Sequence, residues 1–133
     1  MDAQRISTAE DCLNAAYDGT MVFPEILGAL IGAGFEGYTV DYRRQTTTYF
    51  MPDGESVVLQ NRPSAGPVAA EFDSGGVAAQ IKWAQRNPPD YSYAAFCNNV
   101  KALGCAGYFV SMLGRRVVYF GRTAETHVEH FPQ

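Results

Sequence analysis

The run ETHVEHF, residues 125–131, carries both histidines of the chain, each with a carboxylate within two residues. On an extended strand Glu125, His127 and Glu129 share one face, while Thr126, Val128 and His130 share the other. His127 with Glu125 or Glu129 is the pairing that could act as a general base with an orienting carboxylate, and with a neighbouring tyrosine it defines an enzyme reading. Two features weigh against it. Side chains at i and i+2 of a strand diverge, and no nucleophile accompanies the pair. The two histidines face opposite ways, so His127-x-x-His130 is a poor chelate and neither a metal nor a cofactor is expected. A hydrogen-bonded, partly buried His127 and a solvated His130 are the plainer expectations.

The other reactive types are less pointed. A reactive thiol needs a cation or a helix N-terminus to lower its pKa. Cys97 lies on an apolar helical stripe, and Cys105 follows a glycine that ends a helix, where the dipole disfavours a thiolate. Both read as small core residues. Arg43-Arg44 and Arg115-Arg116 fall near the tips of equivalent hairpins. If the two halves of the chain are related by a twofold, Arg44 and Arg116 could flank one anion site, or they could be solvated turn residues. With Lys101 and Arg122 they offer the best opening for a nucleic-acid reading, which still lacks any helix-turn-helix or basic-helix signature. Tyr38, Tyr42, Tyr49, Tyr108 and Tyr119 combine apolar faces with hydroxyl donors, the mixture found in small-molecule sites. Taken one at a time, core packing explains each of them. GAGFEG, residues 32–37, has dinucleotide-loop spacing but follows a helix and precedes a strand, the wrong order for that role.

What must position these residues is a duplicated unit. A shift of 70 residues lays 23–58 on 93–128 without a gap and makes eight pairs identical, among them Gly34/Gly104, Gly37/Gly107, Tyr38/Tyr108 and Tyr49/Tyr119. About two matches are expected from ordinary residue frequencies. Each copy reads as helix, helix, strand, strand, strand. Ser7-Thr8-Ala9-Glu10 has the form of a capping box opening a helix to about Tyr17, and Val77–Arg86 is its counterpart, stopped by Asn87-Pro88-Pro89. Thr20 and Asp90 are the expected N-caps of the second helix in each copy. Ile26, Leu27, Leu30 and Ile31 form one apolar stripe, and Phe96, Cys97, Val100 and Leu103 form the other. Gly34 and Gly104 suit the left-handed position after each helix. The period then falls to two, with Tyr38, Val40 and Tyr42 alternating with Thr39 and Asp41, and Pro52-Asp53-Gly54 marks a tight turn. The strand Tyr108–Leu113 is apolar on both faces, which asks for a cover from the other half, a ligand or a partner subunit.

The expected fold is α+β, one domain over residues 1–133. It is an internally duplicated helix-helix-strand-strand-strand unit, with helices packed on antiparallel sheet. Repeat one spans about 7–60 and repeat two about 77–131. The Pro/Gly/Ser-rich segment 61–76 reads as a plain covalent bridge, with a functional or mobile loop as the alternative.

The runs YTVDYRRQTTTYFMPDGESVVL and GYFVSMLGRRVVYFGRTAETHVEHFP resemble a bacterial family termed domain of unknown function 1398, some of whose members carry the label phage envelope protein. The resemblance extends from the first helix to Pro132. It implies a small bacterial domain, and it brings no activity or catalytic residue with it.

Bulk properties bound the rest. A net charge of −4 argues against unspecific binding to nucleic acid or anionic membrane. The N-terminus lacks a secretory h-region and no apolar run has membrane-spanning length, so a cytoplasmic location is expected. Three cysteines without framework spacing fit reduced thiols. The leading expectation is a non-catalytic binding module, homodimeric, with a small-molecule or protein site between the halves lined by the five tyrosines and rimmed by Arg44 and Arg116. The enzyme built on His127 and a phage-derived or host structural interaction protein are the alternatives.

Overall fold

A computed structural model describes residues 1–132 of the chain. Four helices and six strands follow one another as α1 (Ala3–Asp18), α2 (Phe23–Gly32), β1 (Gly37–Asp41), β2 (Thr46–Phe50), β3 (Ser56–Gln60), α3 (Ser74–Arg86), α4 (Tyr93–Ala102), β4 (Cys105–Ser111), β5 (Arg116–Gly121) and β6 (Thr126–His130). The order is the expected unit written twice, and the class is α+β.

The helix starts depart from expectation because stronger caps lie nearby. Asp2 caps α1: its carboxylate accepts from the Arg5 backbone N–H at 2.9 Å and pairs with the Arg5 guanidinium at 3.0 Å. Ser7 and Glu10 therefore lie within the helix, not at its start. Gly19, at φ +73°, ends α1 and uses Thr20 in the connection, so α2 begins after Val22, whose N–H donates to Glu25 Oε1 at 2.9 Å. Ser92, not Asp90, caps α4 by accepting from the Ala95 N–H at 3.1 Å. Asp73 does the same for α3 through Gly76, so that helix starts at Ser74 and takes the last residues of the expected bridge. Ile31, expected on the buried stripe, is exposed, while Ile26 and Leu30 carry the contact with the core.

The six strands form one antiparallel sheet in the order β3-β2-β1-β4-β5-β6. The two halves join edge to edge through β1 and β4. In that ladder Thr39 faces Phe109, and these two residues are each other's counterparts under the 70-residue shift. The internal twofold axis therefore passes between them. The helices cover one face only. On the covered face the register aligns Val57, Tyr49, Tyr38, Val110, Val117 and Glu129 in one row, and Leu59, Thr47, Val40, Tyr108, Tyr119 and His127 in the next. The opposite face carries the central row Val58, Thr48, Thr39, Phe109, Val118 and Val128. Here the halves lie side by side, so the second does not cover the first, and Phe109 remains 40% exposed. Leu113, expected in a strand, stands in the β4–β5 turn.

The segment joining the halves is more than a bridge. Val68 and Phe72 are buried in the core. Ala69 N–H donates to Lys101 O at 3.0 Å and Asp73 N–H to Leu103 O at 2.8 Å, which straps the segment to the end of α4.

Candidate functional site

Tyr38, Tyr49, Tyr108 and Tyr119 do not line a cleft. All four lie buried beneath the helices, and their rings meet in sequence across the strands: Tyr49 to Tyr38 at 5.3 Å, Tyr38 to Tyr108 at 6.4 Å and Tyr108 to Tyr119 at 5.2 Å between centroids. The Tyr108 hydroxyl is satisfied by that of Tyr93 on α4, at 2.5 Å. Burial pushes the hydroxyls of Tyr38, Tyr49, Tyr108 and Tyr119 far above their ordinary range. This belt is the core of the sheet, and the expectation that it would wall a ligand site is corrected accordingly.

Tyr42 is the exception. It follows β1, and its N–H donates to Ala106 O in the other half at 2.9 Å, which turns its ring under the helices beside Tyr108. The ring is 5% exposed, and its hydroxyl is buried with no hydrogen-bond partner. Burial is the main cause that raises the hydroxyl pKa, and the Cys97 thiol comes next; its sulfur is a weak, poorly aligned partner for the hydroxyl, short of a well-formed hydrogen bond. An unpaired buried hydroxyl costs about 1–3 kcal/mol, so such a group asks for an explanation.

Tyr42 forms part of the lining of a cleft of about 230 Å³. Tyr17 at the end of α1, Gln45 in the β1–β2 turn and the segment Asn61–Ser64 supply one side. Ala94, Cys97 and Asn98 on the first turns of α4 supply the other. The cleft thus lies between the two halves, where a site was expected, but with mostly different residues. Thr47 Oγ1 donates to Asn61 Oδ1 at 2.6 Å and fixes that carboxamide at the sheet end of the cleft. Arg62 is the one charged residue of the lining. Its guanidinium pairs with Asp18 at 3.0 Å and lies over the Tyr17 ring at 4.9 Å, so its charge is already offset. Burial pushes the Cys97 thiol up to about 11 and the Tyr17 hydroxyl up to about 12. At neutral pH both are protonated. Apart from the paired Arg62, the lining is therefore neutral, with amides and hydroxyls as its other hydrogen-bonding groups.

The remaining candidates lie elsewhere. β1 and β4 run antiparallel, so the turn holding Arg43 and Arg44 is at one end of the sheet, and Arg115 with Arg116, which opens β5, at the other. The shared anion site expected of Arg44 and Arg116 is not formed. The reason is the twofold itself, which sets equivalent tips at opposite ends of the sheet. Lys101 is 2% exposed and donates to Ser64 Oγ at 2.8 Å and Ala65 O at 3.3 Å, and Arg122 donates to Val68 O at 3.2 Å. Both hold the connecting segment and do not extend a basic surface. His127 and Glu129 do meet, with Nε2 and Oε2 2.9 Å apart, contrary to the expected divergence of i and i+2 side chains. β6 is an edge strand, and the two side chains bend toward each other on its partly open margin. Glu125 is not part of that pair. It accepts from Thr123 Oγ1 in the β5–β6 turn at 2.8 Å. His127 packs beside Tyr119 and does not line the cleft at Tyr42. Among the described residues, no three His, Cys, Asp or Glu side chains are grouped to hold a metal ion.

Asn61, Arg62, Tyr17 and Asn98 were not singled out by the sequence reading. A signal for all of them but Tyr17 exists: the places where the repeat exchanges polar for apolar. Thr47 stands opposite Val117, Asn98 opposite Gly28 and Asn61 opposite Phe131. In the folded chain these scattered differences converge on one cleft. No family model matches the chain, and no curated protein matches it either.

Proposed function

We propose that the chain is a non-catalytic binding module that holds a small, neutral, hydrogen-bonding molecule in the cleft between its halves. The observation that carries this reading is the buried Tyr42 hydroxyl, without a well-formed hydrogen bond beside a cleft whose lining includes the carboxamides of Gln45, Asn61 and Asn98. A ligand oxygen or nitrogen at that hydroxyl would recover the cost of leaving it unmade. The volume is below the 300–1,000 Å³ of drug-sized sites, which points to a fragment-sized guest. Binding and not chemistry follows from the protonation states: the Cys97 thiol at about 11 is a poor nucleophile, and carboxamides transfer no protons. Native mass spectrometry of freshly purified protein, set against its denatured mass, tests the reading. A retained small molecule, lost in Tyr42→Phe, is the expected outcome. A ligand retained equally by that variant overturns the role of the hydroxyl.

A homodimer is the second part of the proposal. The open sheet face presents Val58 at 60%, Phe109 at 40% and Val128 at 40% exposure along one row. Light scattering would show a dimer that Phe109→Lys dissociates. Assembly beyond a dimer would instead favour the phage-derived structural role that some relatives' label suggests. The enzyme reading keeps the His127–Glu129 pair as its only machinery, and it requires a substrate to approach along the β6 edge. The kinship with the uncharacterised bacterial family and a cytoplasmic setting belong to the same proposal. No helix is long and apolar enough to cross a membrane among the described residues.

A further inference from the structure

The duplication supplies an internal control for the two edges of the sheet. β3 and β6 are its terminal strands, and the 70-residue shift lays one on the other. Beside β2, Met51 N–H donates to Glu55 O and Asn61 N–H to Gln45 O, both at 2.8 Å. Bonded pairs alternate along an antiparallel ladder. Val57 and Leu59 therefore turn their backbone groups to β2, while Ser56, Val58 and Gln60 turn theirs outward. These three residues are exposed, and their outward groups meet no partner among the described residues. Gly121 N–H to Glu125 O and Phe131 N–H to Arg115 O, both at 2.9 Å, set Thr126, Val128 and His130 outward in the same way on β6. The side chains differ. Sheets guard their edges with charges, prolines or bulges. β6 carries His127 and Glu129, bonded to each other at 2.9 Å, where β3 carries Val57 and Leu59. Ser56–Gln60 has no charge and no proline, and it pairs with β2 without a bulge.

Free backbone groups of this kind specify their occupant, because an extended polypeptide repeats its donors and acceptors at the spacing of alternate strand residues, about 7 Å. We propose that β3 is a docking edge that takes an extended, uncharged segment of a partner protein as a seventh strand, antiparallel like every other pair of this sheet. Its aliphatic side chains would lie on the helix side beside Val57 and Leu59, which pack on the core, and its small polar ones beside Ser56, Val58 and Gln60. The proposal uses neither the cleft nor the open sheet face. The same chemistry keeps β6 of a second copy away: centred on Val58, it would set a glutamate against Val57 and a histidine against Leu59. An endless sheet of β3 on β6 is thereby disfavoured. β3 of a second copy matches in pattern, but the area is too small. An edge about 17 Å long and about 10 Å deep gives roughly a few hundred Å², short of the ~1,000 Å² that a stable dimer needs. That area suits a transient contact with a segment.

The test is a titration of the full chain with the acetylated and amidated peptide Ser-Thr-Val-Thr-Val-Thr-Ser, followed by amide NMR and hydrogen exchange. Saturable shifts centred on β3 are expected, with exchange at the Ser56, Val58 and Gln60 amides slowed at least tenfold. Val57 and Leu59, already bonded to β2, should be slow with or without peptide. The same peptide N-methylated at its threonines lacks the donors that face β3 and should bind at least tenfold more weakly. Val58→Pro removes the central outward donor and no bond to β2, so it should fold and lose the peptide. Val58→Lys places a guarding charge there should the proline variant not fold. No saturable shift, or equal binding of the N-methylated peptide, overturns the inference. Full binding by a folded Val58 variant places the peptide elsewhere and overturns it too. Outward amides that are slow in the free protein and become fast on dilution would give the edge to a second copy, which also overturns it.

Discussion

Tyr42 differs from its neighbour Tyr108 by one hydrogen bond. Tyr108 meets Tyr93, whereas the Tyr42 hydroxyl is buried without a well-formed bond. Tyr42→Phe removes that unsatisfied group without changing the ring. Chemical unfolding should then show stability unchanged or raised by up to about 1 kcal/mol, since no intramolecular bond is lost. A loss above 1 kcal/mol would mean that the hydroxyl has a partner inside the protein. Ligand retention should fall about tenfold, the worth of roughly 1.4 kcal/mol. At this scale the sequence is a poor guide. It marked Tyr42 only as one of five similar tyrosines, because burial without a partner is a property of neighbours brought from residues 61–64 and 94–98. The His127–Glu129 contact was hidden for a related reason: ideal strand geometry separates i and i+2, and only position at the sheet margin lets the two side chains converge. The cysteines were legible, because helical spacing alone sets Cys97 on the buried stripe.

Elements were easier to read, and their errors share a cause. Stripes, alternation, caps and turn residues, carried from one copy to the other by the repeat, located the ten elements, since each signal depends on residues within a few positions. Helix starts shifted because several residues compete to cap, and the winner is decided by the preceding turn, as with Gly19 and Val22. The glycines ending α2 and α4 were legible, yet their two sites are not equivalent. Gly34 and Gly104 have φ of +96° and +90°. A Cβ on Gly34 would meet the flexible end of Met51 at 3.2 Å, while one on Gly104 would overlap the backbone of Glu71 and Phe72. Gly34→Ala should cost about 1–3 kcal/mol, the strain of the left-handed region. Gly104→Ala should cost more than about 4 kcal/mol, because the connecting segment must also move. Equal losses in thermal or urea unfolding would show that this segment is not held as described. The strap itself is tested by Lys101→Met, which deprives Ser64 and Ala65 of their donor. About 1–3 kcal/mol should be lost, together with hydrogen-exchange protection at Ala69, while β1–β3 stay protected.

For the molecule as a whole, the tyrosine belt makes folding and proton balance one problem. Tyr38, Tyr42, Tyr49, Tyr93, Tyr108 and Tyr119 are enclosed, and burial is the leading cause that raises the pKa of each. In the unfolded chain they ionise near pH 10. Below that value both states are protonated, and the native state keeps its full stability. As pH rises past 10 the unfolded chain sheds protons that the native state retains, so stability is lost from the unfolded pKa upward. Each group in that window removes about 1.36 kcal/mol per pH unit, and six together remove about 8 kcal/mol per unit. The Cys97 and Cys105 thiols, both raised to about 11, begin the decline from pH 9. A stability of 5–15 kcal/mol, usual for a domain, cannot survive far into that range. The chain should therefore be native at pH 9 and unfold cooperatively by about pH 11. Tyrosinate absorbance and circular dichroism should change together. Tyrosines that titrate one by one near pH 10 while the dichroism stays native would show the belt open to solvent. They would also remove the distinction between core tyrosines and Tyr42 on which the candidate site depends.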